Sequence, residues 1–242
     1  MFAIFKKELT SFFTSATGML ALGLFLTLNG LVLWVFKGPV NIFVYGFADL
    51  SVFFMLSPYI FLFLIPALSM KSFSEEKKLG TLELLLMKPM SPWKLVLGKF
   101  FGIWILGIIA LVPTLVYVWC ISVLGTETGN YDGGLVIGAY LGMILLLTAY
   151  TGIGIFASAL SDNQIVAFLT AILIALVAYL GFQALAGLFL DGGFSLFLEN
   201  LGMQAHYERM GRGIIDTRDV VYFLSLAAFF LFLTVTRLKR TV

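Results

Sequence analysis

Six long apolar stretches, separated by short polar segments, dominate the pattern of the chain. They cover about residues 16–36, 50–70, 95–124, 134–160, 164–187 and 219–236. Each holds roughly the 20 apolar residues that an α-helix needs to cross a bilayer core of about 30 Å. The stretches lack the alternating polar positions of barrel strands, which favours helices over a membrane barrel. The pattern therefore predicts an all-α integral membrane protein with six transmembrane helices, numbered below as spans one to six.

The composition supports a membrane protein and gives no indication of a nucleic-acid-binding function. Of the 242 residues, 61% are hydrophobic and 12% are charged, and the mean hydropathy is +1.05. A soluble domain of this length needs far more charged surface. The net charge is only +2, and no clustered basic face indicates a nucleic-acid partner.

The distribution of lysine and arginine predicts the orientation of the spans. The two chain ends, the segment between spans two and three, and the start of span three together hold 11 of the 15 basic residues. The segments expected on the opposite side hold four basic residues against eight acids. An even number of spans requires both termini on one side. We therefore expect both termini and the second connecting segment in the cytoplasm.

Residues 1–15 carry apolar side chains at helical spacing, namely Phe2, Phe5, Leu9, Phe12 and Phe13. Lys6, Lys7 and Thr10 lie between them. This pattern predicts a short amphipathic helix in the membrane interface, with its apolar side toward the acyl chains. The alternative is a frayed N-terminus, although an aromatic stripe exposed to water is unfavourable.

The segment 71–94 between spans two and three contains signals for two short helices. Ser72 and Glu75 have the spacing of a capping box, which predicts a helix start. Gly80 is expected to end that helix, and Thr81 to cap a second one. Glu75 and its neighbour Glu76 are expected to be solvated or paired with the adjacent lysines.

The second of these helices is unusually apolar for a solvated segment. Its run Leu82–Met87 contains four leucines and one methionine, and Pro89 is expected to end it. Ser91 and Pro92 then supply an N-cap and a proline at the first position of span three. The apolar side chains either dock into a groove on another protein or pack against the chain's own helix ends.

Several residues of this segment carry a resemblance to a known family. The run EEKKLGTLELLLMKPMS resembles the coupling-helix signature of ABC-2 type transporter permeases. The positions that match are Glu75, Glu76, Lys77, Gly80, Thr81, Leu82, Glu83, Leu84, Leu85, Leu86, Pro89, Ser91, Gly98 and Lys99. The likeness extends over an elbow helix at 1–15 and a six-span domain at 16–242. Within the family, FKKELTSFF, GFADLS, SPYIFLFLIPALSMKSFSEEKK and YTGIGIFASALSDNQIVAF most resemble the permease subunit associated with bacterial gliding motility.

The resemblance implies a membrane subunit of an ATP-driven exporter in a bacterial inner membrane. It places an interface for a separate ATP-binding subunit, expected in two copies, on Glu75, Glu76, Gly80, Thr81, Leu82, Glu83, Leu84, Leu85, Lys88 and Pro89. It makes Phe5, Lys6, Lys7, Leu9 and Phe12 part of the elbow helix. A second permease, identical or different, is expected to complete the transporter.

Catalysis and cofactors are expected on the partner. The sequence has no G-x-x-x-x-G-K-[ST] motif, so ATP and magnesium are expected on the ATP-binding subunit. The single histidine, His206, has no partner at metal-ligand spacing, and no metal site is expected on this chain. The alternative function is a non-transporting scaffold or mechanotransmission subunit that acts on a cell-envelope partner.

Other features allow two interpretations each. Asn29 in span one and Gln183 in span five either line a substrate path or hydrogen-bond a neighbouring helix. The pairs Gly98-x-x-x-Gly102 and Gly138-x-x-x-Gly142 are typical of close helix contacts. The segment 188–218, expected outside the membrane, is either a plain loop or a set of short re-entrant or surface helices.

Overall fold

The computed structural model describes residues 1–37, 41–45, 49–87, 90–124, 129, 131–189 and 192–239. All regular structure in these residues is helical. Within them, six helical segments are long and apolar enough to cross a membrane: Gly18–Val35, Ser51–Lys78, Pro92–Leu124, Gly133–Leu160, Gln164–Ala186 and Thr217–Lys239. The prediction of an all-α fold with six spans is therefore confirmed, whereas the orientation of the termini stays a prediction.

The helices follow one another with short connections. The first half of the chain forms α1 (Phe2–Thr14), α2 (Ala16–Gly30), α3 (Ile42–Tyr45), α4 (Ser51–Ser69), α5 (Lys71–Lys78), α6 (Thr81–Leu86) and α7 (Pro92–Leu111). The second half forms α8 (Leu115–Leu124), α9 (Gly133–Leu160), α10 (Gln164–Leu176), α11 (Phe182–Ala186), α12 (Gly192–Glu199), α13 (Met203–Gly211) and α14 (Thr217–Lys239).

Three of the spans are not uniform α-helices. The first ends in a π-helical turn, Leu31–Val35, and the fifth contains another, Val177–Gly181, between α10 and α11. The third is interrupted by the 3₁₀ turn Val112–Thr114, where Pro113 cannot donate a backbone hydrogen bond. These irregular turns divide long apolar runs into segments that pack separately.

Helix α9 lies at the centre of the fold and packs against α4, α7, α10, α13 and α14. Its glycines make these close contacts possible. A Cβ atom on Gly152 would lie 3.2 Å from the backbone of Ala227 in α14, and one on Gly138 would lie 2.7 Å from the carbonyl oxygen of Met210 in α13. The expected role of the Gly138-x-x-x-Gly142 pair in helix packing is confirmed.

Helix α1 packs on the N-terminal half of α7. A Cβ atom on Gly98 would lie 3.1 Å from Ile4, and one on Gly102 would lie 2.7 Å from Glu8 Cβ. The Gly98-x-x-x-Gly102 pair therefore forms the seat of α1. Residues 2–14 are helical, so a frayed N-terminus is wrong, while the location of α1 in the membrane interface stays a prediction.

The segment after span five contains two helices, α12 and α13, so a plain loop is wrong. None of the residues of α12 is buried. In contrast, α13 packs closely on α9, and Tyr207 Oη donates a 2.6 Å hydrogen bond to the carbonyl oxygen of Phe54 in α4. Helix α13 is thus part of the core, whereas α12 lies on its surface.

The close contact between α9 and α13 can be tested with one methyl group. We expect Gly138→Ala to lower the thermal unfolding temperature, because the new Cβ meets backbone atoms that cannot rotate away. Overpacking of this kind costs about 1–3 kcal/mol. Gly23→Ala is the matched control, since no atom lies within 4 Å of its Cβ position. Equal unfolding temperatures of the two variants in one detergent would contradict the packing role.

Candidate functional site

The segment 71–94 begins as a continuation of span two. Met70 is itself helical (φ −55°, ψ −34°), so the chain passes from α4 into α5 without a new helix start. Ser158 of α9 stabilises this junction: its hydroxyl accepts hydrogen bonds from Phe73 N (2.9 Å) and Ser74 N (3.2 Å) and donates one to Met70 O (2.9 Å). The predicted capping box of Ser72 is therefore wrong, because its position already lies inside a helix.

Helix α5 ends at the predicted glycine. Gly80 has φ +66°, a left-handed conformation that L-residues with a Cβ adopt with strain. Thr81 does not cap α6, because its hydroxyl instead donates to the carbonyl oxygen of Glu76 at 3.3 Å. This bond closes the end of α5, and the chain turns sharply into α6.

Helix α6 has one buried side and one exposed side. Leu82 is 2% exposed and belongs to an apolar cluster with Phe73, Leu95 and Leu238. The opposite side consists of exposed residues, called here the α6 surface: Leu79, Glu83, Leu84 and Met87. Packing against the chain's own helix ends is therefore confirmed for Leu82, whereas docking of the α6 surface into another protein stays a prediction.

The remaining residues of the predicted interface differ in exposure. Glu75 is exposed and Leu85 is half-buried. Lys88 and Pro89 lie outside the described residues. After them, Pro92 occupies the first position of α7, as predicted, although Ser91 at the N-cap position makes no side-chain capping bond.

A buried lysine lies directly behind α5. Lys99 of α7 is 1% exposed, and its Nζ donates to Glu8 Oε1 (2.8 Å), Glu76 Oε1 (3.0 Å) and Ser72 O (2.6 Å). The ammonium also lies 5.0 Å from the ring centre of Phe73. These contacts fix α1, α5 and α7 to one charged group, called here the Lys99 cluster.

Glu76 is part of this cluster and not of the solvated surface. It is 7% exposed and binds Lys99 and Lys7, each at 3.0 Å. The expectation that it is solvated or paired with the adjacent lysines is wrong, because the helical turn directs it inward while Lys77 donates to the Ala159 carbonyl of α9. Burial by itself lowers the pKa of Lys7, but the hydrogen bond and charge of Glu76 outweigh it, so the pKa is raised.

The predicted residues of the elbow helix lie on different sides of α1. Phe12 is 8% exposed and covers Gly18, whose Cβ position is 2.5 Å from the Phe12 ring. Phe5 and Leu9 are half-buried, whereas Lys6 is exposed. The apolar stripe therefore faces the spans in part.

The two polar residues of the spans also have different surroundings. Asn29 is 1% exposed, and its amide donates to the carbonyl oxygen of Phe25 in its own helix at 2.8 Å. Gln183 is exposed on α11. Neither side chain makes a hydrogen bond to another helix among the described residues.

A second buried charge cluster was not predicted. His206 Nδ1 lies 2.6 Å from Asp219 Oδ1, and its Nε2 lies 2.9 Å from the carbonyl oxygen of Asn200. Arg209 donates to the same aspartate oxygen at 2.6 Å, and the imidazole stacks on Tyr222 at 3.9 Å. The cluster joins α13 to the start of α14. Its only sequence signal is a histidine and an aspartate close to the start of an apolar run.

Comparison with known proteins identifies the family of the chain. The profile of a family described as ABC-2 family transporter protein matches residues 2–239. A search of curated proteins finds no match.

The Lys99 cluster predicts that replacing Lys99 by a neutral residue destabilises the protein far more than the same change at an exposed lysine. We expect Lys99→Met to lower the free energy of unfolding by about 3–5 kcal/mol, because it leaves the carboxylates of Glu8 and Glu76 without their shared cation. Lys94→Met, an exposed position on the same helix, is the matched control and is expected to change stability by less than about 0.5 kcal/mol. Thermal unfolding in detergent measures both.

Adding Glu76→Gln to Lys99→Met provides a further check. The double variant is expected to recover part of the lost stability, since it removes one of the two stranded charges. A double variant less stable than Lys99→Met would show that the charge pairing is not what holds these helices together.

Proposed function

The chain belongs to the ABC-2 family of transporter proteins, and from that premise we propose that it is the permease subunit of an ATP-driven exporter whose α6 surface binds a separate ATP-binding subunit. Membership of this family makes it a multi-pass membrane component of an ABC transporter. The assignment of the docking surface, the partners and the cargo direction is the proposal.

The observation that carries the proposal is the contrast between the two sides of α6. Leu84 on α6 is 63% exposed, and Leu79 and Met87, which flank this six-residue helix, are 67% and 78% exposed. Exposed apolar groups of this size on a polar segment mark a surface that another protein covers. Glu83 adds a charge at the same place, which can set the register of a partner.

The connections of α6 support a role in force transmission. Leu82 fixes α6 to the cluster at the ends of spans two, three and six. The turn at Gly80 joins it to α5, which is continuous with span two and bound to α9 through Ser158. The Lys99 cluster adds span three and α1. A displacement of α6 by a partner would therefore act on several spans at once, since packed helices move as units.

ATP hydrolysis is proposed to occur on that partner. The sequence contains no phosphate-binding G-x-x-x-x-G-K-[ST] loop, so ATP and magnesium belong to the ATP-binding subunit. Two copies of this subunit are proposed, one for each permease of a pair, because nucleotide-driven closure of two ATP-binding subunits is what the coupling helices of this family are expected to transmit.

A second permease is proposed to cover spans one and five. These two spans are the least buried, with 22% of their residues buried, against 78% for the fourth span. Leu20, Leu24, Leu169 and Leu173 are among their most exposed apolar residues. The partner is a second copy of this chain or a different permease, as in the gliding-motility likeness, which also suggests a bacterial inner membrane.

The docking proposal predicts the effect of two substitutions on the α6 surface. We expect Glu83→Lys and Leu84→Asp each to weaken co-purification with the ATP-binding subunit by at least about thirtyfold, the loss typical of a central interface residue. Thermal stability should not change, because both side chains are exposed.

Glu199→Lys and Leu201→Asp are the matched controls on the far side of the molecule, after α11. They are expected to retain the partner and its ATPase stimulation. Unchanged partner binding in both α6 variants, or equal loss in both controls, would remove the support for docking at α6.

Transport predicts a second behaviour of the assembled complex. ATP hydrolysis in reconstituted vesicles is expected to rise when the cargo is present, because cargo binding shifts the permease toward the conformation that the ATP-binding subunits need for closure. A complex whose ATPase responds to an envelope protein and to no candidate small molecule or lipid would instead favour the scaffold or mechanotransmission function.

A further inference from the structure

A polar cavity of about 270 Å³ lies between α1, the junction of α4 and α5, and α7. Its polar lining consists of Glu8, Ser11, Thr14, Ser15, Lys71, Ser72 and Glu75. One buried water needs only about 10–15 Å³ of such volume, so the cavity has room for a much larger group. It lies beside the Lys99 cluster, with which it shares Glu8 and Ser72.

Ser72 is the observation that points to a ligand. Ser72 is 4% exposed, and its hydroxyl oxygen has no hydrogen-bond partner, although most buried hydroxyls have one. The carbonyl oxygen of Ser72 is bound by Lys99, so the helix here is held in place while the side chain faces the cavity. A group that enters the cavity would complete the hydrogen bonding of this hydroxyl.

The charges around the cavity favour a zwitterion. Two carboxylates, Glu8 and Glu75, line it together with the ammonium of Lys71. Lys99 already binds one oxygen of Glu8, whereas the carboxylate of Glu75 makes no hydrogen bond or ion pair among the described residues, and its backbone carbonyl is bonded by Leu79 N. A primary ammonium donates three hydrogen bonds and suits the carboxylates and hydroxyls, and a phosphate suits Lys71 and Ser11.

The other wall of the cavity is apolar. Leu68 of span two and Ile103 and Leu106 of span three line it, and each of these residues lies within a helix that is long and apolar enough to cross the membrane. The cavity therefore presents charged groups on one side and span surface on the other. A lipid matches this arrangement better than a soluble metabolite, because its glycerol and first acyl carbons would contact the leucines and isoleucine.

We propose that this cavity binds the headgroup of a phospholipid that carries both a primary ammonium and a phosphate, taken from the membrane leaflet next to α1. The ammonium binds Glu75 and the Ser72 hydroxyl, and the phosphate binds Lys71. The lipid thereby joins α1 to spans two and three beside the Lys99 cluster. This site does not depend on an ATP-binding partner, so it can be tested on the purified chain alone.

The test compares four probes on the full-length chain in detergent. Phosphatidylethanolamine, phosphatidylcholine and phosphatidylglycerol with identical acyl chains are titrated separately, with glycerophosphoethanolamine as the soluble headgroup. Native mass spectrometry gives the dissociation constant and thermal unfolding gives the stabilisation. We expect phosphatidylethanolamine to bind most tightly, because the choline group cannot donate hydrogen bonds and the glycerol group lacks the positive charge.

Two substitutions locate the site. Glu75→Gln is expected to weaken phosphatidylethanolamine binding about tenfold, the loss of one charge-assisted hydrogen bond, whereas Glu199→Gln is expected to have no effect. Ser72→Ala is expected to remove much of the stabilisation by the lipid without lowering the unfolding temperature of the lipid-free chain, since it deletes an unpartnered buried hydroxyl. If Ser72 had only a structural role, Ser72→Ala would change the unfolding temperature of the chain equally with and without the lipid.

Each outcome decides for or against the proposal. Equal affinity for the three lipids, or unchanged binding in Glu75→Gln and Ser72→Ala, would overturn the headgroup site. Stabilisation by glycerophosphoethanolamine equal to that by the intact lipid would overturn the membrane source. Loss of partner binding in the α6 variants leaves lipid binding unchanged, so failure of the docking proposal and failure of this one are distinguishable.

Discussion

The ammonium of Lys99 constrains this structure more than any other single group. A fully buried cation is stable only when acceptors surround it, and the acceptors here come from α1, α5 and α7. The three helices must therefore meet at one point, although their residues are far apart in the chain. Gly98 and Gly102 permit the close approach of α1 that this meeting requires. Removal of the lysine would leave two carboxylates facing each other beside apolar side chains.

The position of α6 follows from this constraint. Because α5 is held on one side by Lys99 and on the other by Ser158 of α9, the turn at Gly80 begins from a fixed point. Leu82 then has one place to pack, and the opposite side of α6 is left exposed. The α6 surface, which consists of only a few residues, is held in place by the helices behind it. The same support makes it suitable for passing a displacement from a partner to the spans.

The two ends of the fold are built on different principles. Behind α6, buried charges join α1 to the spans and a polar cavity lies beside them. At the other end, α13 packs on α9 through glycine contacts and on α14 through a His206–Asp219 pair. The second end is closed by backbone contacts and a short tyrosine hydrogen bond.

Local sequence determined the features that depend on neighbouring residues. Six apolar runs gave six helices, Gly80 gave the left-handed turn, Pro92 opened α7, and the glycine pairs marked the closest helix contacts. Tertiary structure decided the partners of the polar groups. Ser72 lies inside a helix and caps nothing, Thr81 closes α5, and Glu76 turns away from its neighbouring lysines to reach Lys99 and Lys7, which are 23 and 69 positions away. A capping or pairing rule considers residues within one or two turns, whereas a buried charge is stabilised by whichever acceptor the packing brings near it.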